Sequence, residues 1–333
     1  MKQRRFGPND AFIEIDMENG FRVVFSAQGA SVYNIYLHDK PMLGVCRDLQ
    51  FFLDERSAYY GKTVGPFAGR IENGKYTVNG KQYSYLCNEP GVCCHCYPKC
   101  YAFMEFEASV EDSGDKVVVH FHREYEEKEY YPAKAVIDVE YALDKKSYRL
   151  DCHIRNVADA DAPVRIANHP YFNLGGEPNA KSQRLLIDAE MVTIYDDKMM
   201  PIGLEKPVGA LSFDPAKPFG TDVNDPAIHK GRHNGYDHGY RFKDNDFAPA
   251  RIILESDQYL LEVHSDYNGV QIYSNSGAGE NFLLDSGFYE EPNASIVIEM
   301  MDIHMQPEDS IVPANTPYVR NFAWIFTEKK EER

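Results

Sequence analysis

Positive charge is scarce in this chain: 35 Lys and Arg stand against 52 Asp and Glu, a net charge of -17. An acidic surface repels phosphate backbones, and no Lys/Arg cluster reverses this locally, so nucleic acid is excluded as a partner. Long hydrophobic runs are missing as well. No apolar stretch reaches the roughly 18 residues of a transmembrane helix, so no membrane association is expected. The basic start "MKQRRFGPNDAFIEIDMENG" lacks the apolar run of about seven or more residues that a secretory signal needs. The expected compartment is therefore the cytoplasm, where thiols stay reduced. No segment sustains an apolar period of about 3.6 residues between caps, which leaves room for only a few short helices. Internal repeats and low-complexity linkers are also lacking, which excludes solenoids and propellers. The C-terminal "KKEER" is mixed in sign and reads as a frayed tail.

What remains is a chain written in strands. It carries 23 Tyr and 19 Phe, a composition that leans toward β-structure. "GKYTVNGKQYSYL" (residues 74–86) places Asn79-Gly80 between two β-rich runs, the signature of a type I′ hairpin. "KVVVHFHREY" (116–125), "AVIDVEYAL" (135–143) and "YRLDCHIRNV" (148–157) alternate across short polar links. "RLLIDAEMVTIY", "ARIILES", "YLLEVHSD", "VQIYSNS", "ASIVIEMMD" and "YVRNFAWIFTE" continue the pattern. Residues 200–226, rich in Gly and Pro, read as a long surface excursion because strand-like sequence of the same character resumes on both sides. Two domains would be the length prior for 333 residues. The uniform patterning instead predicts an all-β, large antiparallel sandwich spanning 1–333 as a single domain.

Five segments are candidates for chemistry. "GVCCHCYPKC" (91–100) surrounds His95 with Cys93, Cys94, Cys96 and Cys100, and Cys87 lies just upstream. A structural zinc site usually draws on two short ligand pairs separated by a loop, and no second pair appears. On a strand, residues 94 and 96 would point one way and 93 and 95 the other, so one ion could not gather them. The expectation is no metal and reduced, partly buried thiols. "ANHPYFNLGG" (167–176) puts His169 before Pro170 at a strand end or loop, a place that displays functional groups. In "SIVIEMMDI" (295–303), Glu299 follows an apolar run. Either the alternation turns it to solvent, or burial raises its pKa and makes it a better base. "GPFAGRIENG" (65–74) and "GYDHGYRF" (235–242) set Arg70 and Asp237 in turns rich in Gly and aromatics. Aromatic faces flanked by Asp, Asn and Arg suit a sugar, whose C–H face stacks while its hydroxyls meet fixed donors and acceptors. Ordinary turns with surface ion pairs would look the same.

Taken in order, these pieces resemble the aldose 1-epimerase (galactose mutarotase) family. "GRIENGKYTVNGKQYSYLCNE" is similar to the family's Asn-Arg-Ile segment with its following hairpin and Asn-rich turn. His95 falls at the His of the family's Leu-His-Gly-Gly motif, and "NHPYFNLGG" is close to its Asn-His-Thr-Tyr-Phe-Asn-Leu. "MPIGLEKPVGALSFD", "YDHGY", "VQIYSNS" and "IVIEMMDIHMQPED" resemble later family segments. The likeness runs from about residue 28 to 326, and "NHPYFNL" is its most specific part.

The resemblance implies a β supersandwich with an open groove, no cofactor and no metal, acting on a small-molecule sugar. It implies that Glu299 is the general base for the C1 hydroxyl of a pyranose and His169 the general acid for the ring oxygen, on opposite sides of the ring. His95 would be a second donor, and Arg70 and Asp237 would bind sugar hydroxyls. Glu299 would be ionised while His169 is protonated, giving a bell-shaped pH–rate profile. Three departures bear on specificity. Gly69 replaces the family's Asn, Cys96-Tyr97 replaces Gly-Gly with Cys96 expected beside the sugar, and Met301 replaces a Gln. A phosphorylated sugar is less expected, because no concentrated Arg/Lys set surrounds the motifs. A non-catalytic sugar-binding protein on the same fold, and a zinc- or redox-dependent protein using the cysteine cluster, are the competing classes. The sugar and the oligomeric state are left open.

Overall fold

A computed structural model of the chain describes residues 1–54, 57–229, 234–278 and 282–330. The last residues of "KKEER" lie outside the described residues. Three antiparallel sheets dominate. The first, of five strands, is built in chain order from Lys2–Phe6, Phe12–Asp16, Phe21–Ser26, Ser31–Leu37 and Lys40–Pro41. The second has nine strands, ordered Glu107–Ser113, Lys116–Glu126, Lys134–Asp144, Arg149–Ala158, Tyr318–Glu328, Tyr259–Ser265, Ile252–Glu255, Arg184–Ile187 and Lys217–Pro218. The third has six: Tyr171–Phe172, Ile296–Met300, Gly269–Tyr273, Asp237–Arg241, Met191–Tyr195 and Pro201–Glu205. The only α-helix among the described residues is the single turn Leu49–Phe52, with the Asp48 carboxylate capping two backbone N–H groups. Among the described residues, no helix is long and apolar enough to cross a membrane.

The alternation read from the sequence is the alternation of burial. Along Lys134–Asp144 every second residue is buried, as a half-covered strand requires. One continuous core joins the sheets: Ile13, Ile15 and Val23 from the first, Val119, Val139 and Trp324 from the second, Val270, Ile272 and Ile298 from the third. The Asn79-Gly80 hairpin forms as expected between Lys75–Val78 and Lys81–Ser84, with φ of 50° and 77° at its two central residues. The 200–226 stretch departs from expectation at two places. Pro201–Glu205 is not surface excursion but the edge strand of the third sheet, paired with Met191–Tyr195. The second is Lys217–Pro218, which pairs with Arg184 and Leu185 in the second sheet.

The third sheet positions the site. Its strand Ile296–Met300 is buried at all five positions, which explains its near-continuous apolar sequence. Ile296, Ile298 and Met300 face the core together with Val270, Ile272 and Tyr240. By the two-residue period, Glu299 must face the other way. Register then aligns Glu299 with Gln271, Gln271 with Gly239 and Tyr273 with Asp237. The sheet therefore presents a polar row on its second face. Truncating Ile298 to Ala would remove the packing that holds this strand, at a cost of ~2–5 kcal/mol.

Candidate active site

That second face floors a cleft of about 220 Å³, lined by residues from all along the chain. All five residues singled out by sequence, Arg70, His95, His169, Asp237 and Glu299, line it.

Glu299 is 2% exposed, so the possibility that the alternation turns it to solvent is overturned: the face it looks onto is the cleft. Its Oε2 stands 3.9 Å from His169 Nε2, too far for a hydrogen bond. His169 lies in the link between the short strands Ala167–Asn168 and Tyr171–Phe172, a strand end as expected, and it is brought beside Glu299 because Tyr171 pairs with Val297. They stand side by side in the cleft wall. Glu299 Oε1 and His169 Nδ1 are both buried without a hydrogen-bond partner among the described residues. Burial is the leading cause of both pKa shifts. It pushes Glu299 up to about 8, with Arg165 and Arg70 opposing and Asp237 adding to the rise. It pushes His169 down to about 4, against its backbone hydrogen bond and Asp237. The expected charge state, carboxylate beside imidazolium, is therefore not the resting one. Around neutral pH the pair still holds one proton, but desolvation keeps it on Glu299.

The ring of His169 is held among the rings of Tyr59, Tyr171 and His95, at centroid distances of 5.5, 5.2 and 5.6 Å. Its backbone is clamped on both sides: Gly61 N–H donates to its carbonyl at 2.8 Å, and its own N–H donates to Lys62 O at 3.0 Å. His95 has a fixed orientation too. Its N–H donates to Gly69 O at 2.9 Å, and Gly69 N–H donates to its Nδ1 at 3.1 Å. A ring that accepts at Nδ1 is neutral with its proton on Nε2, which leaves a donor. Burial, with His169 and Arg70 nearby, holds its pKa well below the usual imidazole range.

Arg70 and Asp237 are not surface ion pairs. Arg70 Nη2 donates to Asp237 Oδ2 at 3.0 Å and Arg70 Nε to Glu89 Oε2 at 3.2 Å. Gln271 Nε2 donates to Asp237 Oδ1 at 2.6 Å, and the Tyr195 hydroxyl donates to Gln271 Oε1 at 3.2 Å. This chain of bonds sets the floor rigidly. Gly239, in the row between Gln271 and Thr193, has no room for a side chain: a Cβ there would lie 2.8 Å from Thr193 Oγ1 and 3.0 Å from Ile303 Cδ1.

The cysteine segment folds differently from the expected alternation. The strand Val92–Cys94 ends before His95, and both His95 (φ 58°) and Cys96 (φ 55°) are left-handed. The backbone turns there, so Cys94 and His95 both reach the cleft, while Cys93 and Cys96 pack together with Phe67, Ile71, Tyr76, Val78 and Tyr85. Cys96, expected beside a bound sugar, does not line the cleft: its thiol donates to Phe67 O and accepts from Phe67 N–H. All seven cysteines are free thiols, and only Cys87 is exposed. The potential ligand atoms that do cluster are those of His95, His169 and Glu299, within 4.8 Å of one another. Two imidazoles and a carboxylate could hold a divalent ion, and they can equally exchange protons with a hydroxyl-bearing ligand.

Tyr59, Glu89, Arg165, Tyr171, Tyr195 and Gln271 also line the cleft without having been singled out. Gln271 sat between apolar Val270 and Ile272, the same pattern that drew attention to Glu299, and could have been found that way. Tyr59 and Arg165 gave no such signal.

The architecture is the galactose mutarotase-like β supersandwich. It superimposes on a galactose 1-epimerase from Lactobacillus acidophilus with a TM-score of 0.87 at 19% identity, covering 99% of both chains. An aldose epimerase homologue from C. elegans gives 0.84 at 18% identity, covering 96% of this chain and 99% of that one. In sequence, the aldose 1-epimerase family model matches residues 12–299, and the chain belongs to that family, a family of isomerases. Mouse galactose mutarotase is 30% identical over 226 residues, which is 66% of this chain and spans 63% of the mouse protein. The aldose 1-epimerase of Escherichia coli is 25% identical over 250 residues, 72% of this chain and 69% of that one.

Proposed function

We propose that this protein is an aldose 1-epimerase that interconverts the α and β anomers of a free hexose or related sugar. The observation that carries the reading is the buried pair Glu299 and His169, side by side in the cleft, each with one polar atom that the fold leaves unpartnered. O1 and O5 of a pyranose are both bonded to C1, so two groups a few ångström apart can serve both. Glu299 takes the proton of the C1 hydroxyl and His169 Nε2 gives a proton to the ring oxygen. The C1–O5 bond breaks and leaves the open-chain aldehyde. Rotation about C1–C2 presents the other face, Glu299 returns its proton to O1, and His169 takes the one on O5 as the ring closes. The pair holds one proton before and after each step. Burial favours the arrangement reached at the open chain, with Glu299 protonated and His169 neutral.

A sugar hydroxyl donating to the unpaired Glu299 Oε1 stabilises the carboxylate and so helps move the proton to His169 on binding. His95 supplies its Nε2 proton to a sugar oxygen. Arg70 and Asp237, locked to each other and to Glu89 and Gln271, orient hydroxyls without having to reorganise. Against a phosphorylated substrate, Arg70 is already compensated by two carboxylates.

Polarimetry of freshly dissolved α-galactose or α-glucose tests the reading. The protein should accelerate the drift to equilibrium, and a Glu299→Gln, His169→Ala double variant should not. Acceleration that survives in the double variant, or sugar binding in a calorimeter without any rate effect, would sink it.

A further inference from the structure

We propose that Arg165 contacts the substrate and sets specificity, donating from Nη2 to a sugar oxygen in the space where a side chain at position 69 would otherwise begin. The proposal rests on the sugar-epimerase reading above. Arg165 lines the cleft and is only 6% exposed. Its other nitrogens are engaged with backbone: Nε donates to Ala68 O at 2.6 Å and Nη1 to His304 O at 3.3 Å. The guanidinium lies over the Phe67 ring, 4.1 Å from its centroid. Three attachments fix the plane of the group and thereby fix where Nη2 points.

Nη2 itself makes no hydrogen bond to a described residue, and no carboxylate of a described residue lies within ion-pair distance of Arg165. Arg70, in the same cleft, has two such partners. A guanidinium has donors only, so an almost fully buried Arg with one nitrogen uncommitted is a site for an acceptor oxygen. The position of that nitrogen is defined by Gly69. A Cβ built there would lie 2.2 Å from Arg165 Nη2, and Gly69 has φ +93°. No side chain can therefore share the space with Arg165. Gly69 bonds to His95 through both its N–H and its C=O, so Nη2 sits near the residue whose Nε2 is a neutral donor of the cleft. The space beside Gly69 is thus filled from a distant segment of the chain by a charged donor.

A substrate and side-chain cycle tests this. The wild type, Arg165→Met and Arg165→Lys are assayed by mutarotation on a parent hexose and on its set of monodeoxy analogues. Met keeps the stem over Phe67, and Lys keeps the charge but not the planar fork. A hydrogen bond from a charged donor makes a difference of roughly tenfold to a hundredfold. The expected result is that one deoxy position costs the wild type about tenfold or more in kcat/KM. Both variants should lose that factor on the parent sugar and show no further loss on that analogue. Unchanged thermal midpoints would show that the fold is intact. Equal losses on every sugar would overturn the proposal and make Arg165 a brace for Ala68 and His304. A loss in Met that Lys fully restores would also overturn it, leaving only a charge effect on Glu299. If the wild type turns over no sugar, the reading beneath the proposal fails, and calorimetric affinities on the same sugar set still decide whether Arg165 discriminates.

Discussion

Replacing Glu299 with glutamine should abolish mutarotation and at the same time stabilise the protein in alkaline buffer. The two effects share one cause. Burial raises the Glu299 pKa from 4.5 to about 8, so the unfolded chain loses this proton several pH units before the folded one does. A group whose folded pKa is raised contributes stability that is complete below the unfolded value and is lost as pH climbs to the folded one. The window is therefore about pH 4.5 to 8. At about 1.4 kcal/mol per pH unit, the wild type gives up ~5 kcal/mol across it. Glutamine has the same shape and nothing to ionise, so its variant keeps that stability. With about 2.1 cal/mol/K of unfolding entropy per residue, the 333-residue chain should show a Tm gap of roughly 7 °C at pH 9. The gap should shrink toward zero near pH 5. Calorimetric melts of both proteins from pH 5 to 9 at fixed ionic strength measure it, alongside a loss of rate of about 100-fold or more. A gap that does not change with pH would refute the reasoning, because it would mean that Glu299 is ionised throughout and held by a cation.

Three further outcomes are expected. The pH profile of kcat/KM should be bell-shaped with limbs near the about 4 of His169 and the about 8 of Glu299, because the pair carries one proton only between them. A profile still flat at pH 9 would count against the pair. Iodoacetamide at neutral pH should label one thiol in the native protein, the exposed Cys87, and seven after unfolding, as mass spectrometry would read directly. Rapid labelling of Cys94 would show that the cleft wall opens. Dialysis against a chelator should leave the rate unchanged, and added Zn²⁺ should inhibit in competition with sugar by occupying His95, His169 and Glu299. A rate lost to the chelator and restored by metal would make that trio a metal centre.

How much of this was legible in the residues differs by kind of information. Strands such as Lys134–Asp144 were readable because a half-buried strand has to alternate, and the Asn79-Gly80 turn because few residues tolerate two positive φ angles in a row. Glu299 was visible as an anomaly in an apolar run, but its direction was not. Only the register with Gln271 and Gly239 shows that the face opposite the core is a cleft and not bulk water. The cysteine segment misled because alternation was carried past residue 94, where His95 and Cys96 turn left-handed without a glycine to announce it. Arg165 was invisible for a plainer reason. Between the buried Val164 and Ile166 it looks like any outward-facing arginine, and only its proximity to Gly69, almost a hundred residues earlier in the chain, gives it meaning.

The tight packing over Gly239 has a further consequence. Thr193, Ile303 and Gln271 close over that point and themselves line the cleft, so a side chain at 239 would push them toward the ligand space without touching the groups that handle protons. Size selection and proton chemistry are thus written at separate addresses in the sheet. Apolar crowding changes discrimination between similar ligands by about 1–3 kcal/mol per methylene. Substitutions around residue 239 would therefore change which ligands fit while Glu299 and His169 stay as they are, which gives this scaffold a way to be retuned without being rebuilt.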